Sequence, residues 1–180
     1  MYDNRTNILN PSNGMFISVQ FSSSNTVIGS NYNSQSLLLD IRKYFRLPYK
    51  SENILAFWSY DNFTYSGKLP YLDLPSTGWD AYNNTGRGYV QGRFRGNNFV
   101  YLEGEYRFKI TNNGLLGGVV FANAESVSDY PSNKFTTIMI SKGIGLRLKI
   151  NKDSSSNLCV DYGFGQGNSR GFSFNLGEVF

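Results

Sequence analysis

The chain has 180 residues, a formal net charge of +4, 40% hydrophobic residues and a mean hydropathy of −0.35. That length suits one domain, residues 1–180, with a real core or a small barrel, and the modest charge argues against a nucleic-acid footprint. No histidine and a single cysteine, Cys159, argue against zinc or iron centres and leave no internal disulfide.

Gly 19, Tyr 13 and Phe 14 point to β structure with many turns. No apolar run approaches the ~18 residues of a membrane helix, but a membrane β-barrel averages an apolar outside with a polar inside and has the same overall hydropathy. The opening MYDNRTNILNPSNG lacks the apolar core of a signal peptide, so the chain is expected to be cut from a longer protein.

After the turn-rich NPSNG, Met15, Ile17, Val19 and Phe21 alternate with Ser18, Gln20 and Ser22, the pattern of a strand with one apolar face. A second strand carries Leu37, Leu39, Ile41, Phe45 and Leu47 on one face and Asp40, Arg42, Tyr44 and Arg46 on the other. A third run, 53–65, is aromatic and alternates weakly. Residues 67–97 then form a connection far longer than a hairpin needs, and such loops are usually functional or disordered. Trp79 and the apolar LPYLDLP at 69–75 argue against disorder.

Within this loop GRGYVQGRFRG, residues 86–96, combines three arginines with four glycines. Each guanidinium is a permanently charged five-donor fork that needs a carboxylate, a phosphate or water, so the loop is built to dock on something polar.

Beyond it, Val100, Leu102, Tyr106, Phe108 and Ile110 alternate with Tyr101, Glu103, Glu105, Arg107 and Lys109. Residues 114–128 follow the turn signal NNG. Ile144 to Ile150, Leu158 to Phe164 and Phe172 to Phe180 repeat the alternation, which gives about eight antiparallel strands. The last is expected to hold Phe172, Phe174, Leu176 and Phe180 on one face.

A soluble barrel alternates in the same way. Two features favour the membrane: polar faces that mix both charge signs with glycines, as a hydrated lumen would, and a last strand that runs to a terminal aromatic rather than a polar tail.

GRGYVQGRFRG followed by NNFVYLEGEYRFKI resembles the conserved loop and next strand of bacterial outer-membrane assembly and secretion barrels of the BamA/TamA, or surface-antigen, type. YDNRTNILNPSNGMF is similar to that family's D-x-R-x-N…P-x-x-G lead-in, and LCVDYGFGQGNSRGFSFNLGEVF to its last two strands as found in Bacteroidota. The resemblance implies an all-β antiparallel transmembrane barrel, of which this chain is the last eight of sixteen strands.

It also implies a loop that plugs the lumen, with Arg87, Gly88 and Tyr89 at its tip and Arg87 locked to Glu105 on the inner wall. The second partner pattern, F-x-D-x-G, reads Phe121, Ala122, Asn123, Ala124, Glu125, so Asn123 stands where a carboxylate is expected. Glu125 is a candidate for the missing charge, and Arg93 and Arg95 are candidate auxiliaries. Phe172, Phe174, Leu176, Gly177 and Phe180 match the C-terminal insertion signal.

Implied partners are outer-membrane lipid, the missing N-terminal half of the barrel, periplasmic POTRA domains, the barrel assembly machinery and client polypeptides; nucleic acid is not among them. The implied activity is insertion or translocation of polypeptides without covalent chemistry, metal or cofactor. A membrane anchor or pore for an upstream passenger such as a patatin-like lipase, and a soluble ligand-binding barrel, are the alternatives.

Other motifs have plainer explanations. Glu103 and Glu105 share a face as a glycosidase pair does, but Arg107 and Lys109 beside them make charge compensation the simpler account. GNSRG at 167–171 matches a hydrolase nucleophile pattern, yet it falls in a hairpin and no histidine exists to act as base.

Overall fold

A computed structural model describes residues 1–49, 51–129, 132–151 and 156–180. Nine antiparallel strands follow one another in a single sheet in chain order: β1 (Tyr2–Asp3), β2 (Gly14–Ser24), β3 (Ser34–Arg46), β4 (Ile54–Gly67), β5 (Asn98–Lys109), β6 (Leu116–Val127), β7 (Met139–Asn151), β8 (Ser156–Gly165) and β9 (Arg170–Leu176). The additional strand beyond the eight expected is β1, which pairs only Tyr2 and Asp3 with Ile17 and Phe16. Among the described residues β1 and β9 do not pair with each other, so the sheet stays open.

Local connections build this meander. β3 leads to β4 and β5 to β6 at one end of the sheet, the latter through a short turn at 110–115. The longer connections at 25–33 and 68–97 lie at the other end, together with a four-residue turn at 166–169 between β8 and β9. Asn25 caps a 3-10 turn at Thr26–Ile28 by accepting from the Val27 N–H, and Gly29 ends it with a left-handed φ of 92°.

The two faces differ as period 2 requires. Val120, Ile140, Ile144, Leu146, Phe172, Phe174 and Leu176 are exposed on the convex face. The concave face buries Glu103, Glu105, Arg107, Asn123, Glu125, Arg147 and Asp161. A soluble β domain of this size does the opposite, hiding apolar side chains and exposing charge; a membrane barrel has this inside-out arrangement.

At one side of the concave face, Tyr44, Ile54, Ala56, Trp58, Phe99 and Tyr101 form an apolar cluster. Trp58 is tied to the wall by its indole N–H, which donates to Asp40 Oδ1 at 2.9 Å.

The C-terminal residue corrects an expectation. Phe172, Phe174 and Leu176 share the exposed face, but Phe180 is 3% exposed against 68% for Phe172. Gly177, with a φ of 87°, ends β9 and turns the last residues inward. Phe180 then stacks on Trp58 with ring centroids 5.2 Å apart, and Arg107 Nη2 donates to its carbonyl at 2.8 Å. Strand periodicity does not extend past a left-handed glycine.

Candidate functional site: the loop tip on the inner wall

The long loop is folded on itself before it meets the wall. Asp80 acts as its internal cap: Oδ1 accepts from the Asn84 N–H, the Thr85 N–H and the Thr85 hydroxyl at 2.8–2.9 Å. Thr85 Oγ1 in turn accepts from the Gly78 N–H. Thr77 donates its N–H to Phe94 O and accepts from the Gly92 N–H, which draws the two limbs of the loop together. Arg95 Nη1 donates to the carbonyls of Tyr71 and Leu72 at 2.8 and 3.0 Å, while Arg93 lies over the Tyr89 and Phe94 rings. Both arginines therefore shape the loop and do not reach the wall carboxylates.

Arg87 does reach them. It is 5% exposed, and its guanidinium lies 3.8 Å above the centroid of the Phe121 ring. Its Nη2 bonds Glu105 Oε2 at 2.6 Å and also contacts Glu103; its Nη1 bonds Asp161 Oδ2 at 2.6 Å. The planar fork thus spans β5 and β8, which a single ammonium point charge does not do.

The contacts continue into a closed ring. Arg107 bridges Glu105 (2.5 Å) and Glu178 (3.6 Å), and Arg147 bridges Glu178 (2.7 Å) and Asp161 (2.5 Å). Three arginines and three carboxylates alternate, supplied by the loop, β5, β7, β8 and the segment after β9. Every charge in the ring faces two of opposite sign, the condition under which buried ions are tolerated.

Two small contacts seat the backbone at the tip. Asn123 Nδ2 donates to Arg87 O at 3.1 Å, and Ser141 Oγ donates to the same carbonyl. Gly88, with a φ of 105°, passes so close to Gly163 that a Cβ on Gly163 would stand 2.6 Å from the Gly88 nitrogen. Tyr89 follows, its hydroxyl donating to Ile140 O at 2.7 Å and accepting from the Gln166 N–H at 2.9 Å.

The structure therefore brings Arg87, Gly88, Tyr89, Glu105, Phe121 and Asn123 together, with two differences from the sequence expectation. Asn123 holds the backbone of the loop, not the guanidinium. Glu125 does not supply the missing charge: it accepts from Thr77 Oγ1 at 3.1 Å and forms no ion pair with Arg87 among the described residues.

The replacing carboxylate is Asp161. Its place on the polar face of β8 was legible, but its distance from Arg87 was not, because 74 positions separate them. Arg147, Glu178 and Ser141 escaped for the same reason. Asn84 did also; its Nδ2 donates to Val179 O at 2.6 Å and ties the loop to the C-terminal segment.

A search of curated proteins returned no match. The Omp85 superfamily domain matches residues 1–180, the whole length of the chain. With an all-β antiparallel sheet, an apolar outer face and a charged inner wall, this chain belongs to the Omp85 superfamily, outer-membrane β-barrels that insert or translocate polypeptides in bacteria.

Proposed function

We propose that the chain forms the last eight membrane-crossing strands of a sixteen-stranded Bacteroidota-type barrel that assembles other outer-membrane proteins. The loop at 68–97 enters from the extracellular side and is locked in the lumen by Arg87. The observation that carries this is the charge ring, in which one loop arginine ties β5 and β8 together and, through Asp161 and Glu105, engages the segment that follows β9.

The ring has a mechanical consequence. A seam that opens beside the last strand pulls on Glu178, and the pull is transmitted through Arg107 and Arg147 to the carboxylates that hold the loop. Loop docking and seam closure are then one equilibrium, and client insertion draws on it without any bond being made or broken.

The orientation follows from loop length, since outer-membrane barrels keep short turns on the periplasmic side and long loops outside. Client polypeptides, POTRA domains and the assembly machinery are the partners this role requires.

The test is replacement of the native gene by one encoding Arg87→Ala in the full-length protein. Other outer-membrane barrels should fall in abundance while the variant itself still reaches the membrane. Normal levels of those barrels, with loss only of a passenger domain encoded upstream, would assign the anchor role instead.

A further inference from the structure

The convex face is mostly apolar; Ser59 and Asp61 on β4 interrupt it, as do a few cations, two of which stand together. Lys142 on β7 pairs directly with Phe164 on β8, and Phe164 pairs directly with Arg170, the first residue of β9. All three side chains are exposed and point outward, with Lys142 between Ile140 and Ile144 and Arg170 on the face of Phe172 and Phe174. Neighbouring strands are about 4.8 Å apart, so the two cations sit on backbones about 10 Å apart with an aromatic ring between them. Among the described residues neither makes an ion pair, and no acidic side chain adjoins either one.

Their position along the strands gives them meaning. One row of paired residues runs Lys43, Phe57, Gly104, Ala122, Lys142, Phe164, Arg170 across seven strands. Lys43 lies near the short-turn end of β3, while Lys142, Phe164 and Arg170 lie at the end of the sheet that carries the 68–97 loop, the latter two on either side of the four-residue turn at 166–169. Strands of a barrel tilt, so such a row climbs from one membrane interface to the other. A cation facing lipid is tolerated near an interface, where its head reaches the headgroups.

Beneath the pair the small residues Gly104 and Ala122 leave a depression. A groove of about 580 Å³ is walled by Tyr106, Val120, Ile144 and Phe164, with Lys142 among its lining residues. A second groove of about 490 Å³ adjoins it across Gly104 and Ala122 and reaches Leu102 and Ile140. Hydrocarbon room next to two unpaired cations matches a molecule with acyl chains and a phosphate.

We propose that Lys142 and Arg170 bind the phosphate of an outer-leaflet, lipid A-type glycolipid whose acyl chain lies in the groove over Gly104 and Ala122. The site rests on the membrane orientation given under the proposed function. It places an ordered lipid beside the last strand, with Arg170 on that strand itself, so lipid occupancy and the position of the strand are linked.

The test uses the full-length protein in mild detergent, incubated with phosphorylated lipid A, dephosphorylated lipid A or phosphatidylglycerol, with retained lipid read by native mass spectrometry. Preferential retention of phosphorylated lipid A is expected, and the double variant Lys142→Gln/Arg170→Gln should weaken it roughly thirtyfold. Lys68→Gln, at an exposed cation that lines neither groove, should leave retention unchanged. Ala122→Phe, which fills the groove and keeps both cations, should also reduce it.

Equal retention of phosphorylated and dephosphorylated lipid A overturns the site, as does a double variant that binds like the parent. Equal retention of phosphatidylglycerol overturns the assignment to the outer leaflet. Heat-modifiable migration is recorded in parallel: a folded barrel without lipid preference refutes the lipid site alone, and failure to behave as a membrane barrel refutes the reading beneath it too.

Discussion

Arg87 is the side chain on which the inner wall is organised, since three carboxylates from two strands converge on it. Removing it leaves Glu103, Glu105 and Asp161 buried with their main shared cation gone, and breaking such a pair costs about 3–5 kcal/mol. Arg87→Ala should therefore lower the temperature at which the full-length barrel loses its compact gel migration, and Arg87→Lys should not restore it, because an ammonium cannot donate in two fixed directions. Asn123 makes a sharper case. The superfamily resemblance suggests a carboxylate there, yet here the amide donates to Arg87 O, which a carboxylate cannot do. Asn123→Asp should destabilise by about 1–3 kcal/mol, through a lost donor and an added charge near Glu103 and Glu105. Stabilisation in chemical denaturation would show that the guanidinium can re-aim toward position 123 and that Asp161 is dispensable.

At the scale of elements, the contact between loop and sheet is backbone against backbone. A Cβ on Gly163 would meet Gly88 N at 2.6 Å and Gly88 Cα at 2.7 Å, and no rotamer relieves a clash with main chain. Gly163→Ala should lift the loop tip and cost about 1–3 kcal/mol. Gly171 is its direct strand partner, but the nearest atoms to its Cβ lie at 4.0 Å, so Gly171→Ala should be silent. Limited proteolysis of the loop separates the two: faster cutting at 79–96 in the first variant and unchanged cutting in the second. The loop also grips the C-terminal segment through Asn84 and Val179 O. Asn84→Ala leaves that carbonyl without its donor, and hydrogen exchange should quicken at residues 177–180 while the core of β5 keeps its protection.

For the whole molecule, the open edges decide behaviour. Among the described residues the outer edge of β9 carries no strand partner, β1 pairs with Ile17 and Phe16 of β2, and the two ends meet where the Glu178 N–H donates to Leu9 O past the end of β9. Unpaired N–H and C=O groups in hydrocarbon are each costly, so an open sheet cannot stand alone in a bilayer. Refolded by itself in detergent, the 180-residue chain should give oligomers by light scattering and no heat-modifiable band; co-refolding with a complementary set of strands should produce one. A stable monomer in plain buffer would end the membrane account.

Alternation along each strand was enough to assign faces to Tyr101, Glu103, Glu105, Arg107, Asp161, Phe172 and Phe174, because side-chain direction in a strand depends only on parity. The bounds of the long loop were equally legible, since turn residues and broken periodicity are local signals. Parity does not measure distance across a sheet. It could not show that Asp161, and not position 123 or 125, would complete the coordination of Arg87, nor that Glu178 would close a ring with Arg107 and Arg147. Nor did it anticipate that Phe180 leaves the lipid face, which follows from one left-handed glycine and an aromatic pocket built by Trp58 and Tyr44 on strands far away in the chain. Sequence determined which way each side chain faces; only the curvature and register of the sheet decided which of those side chains meet.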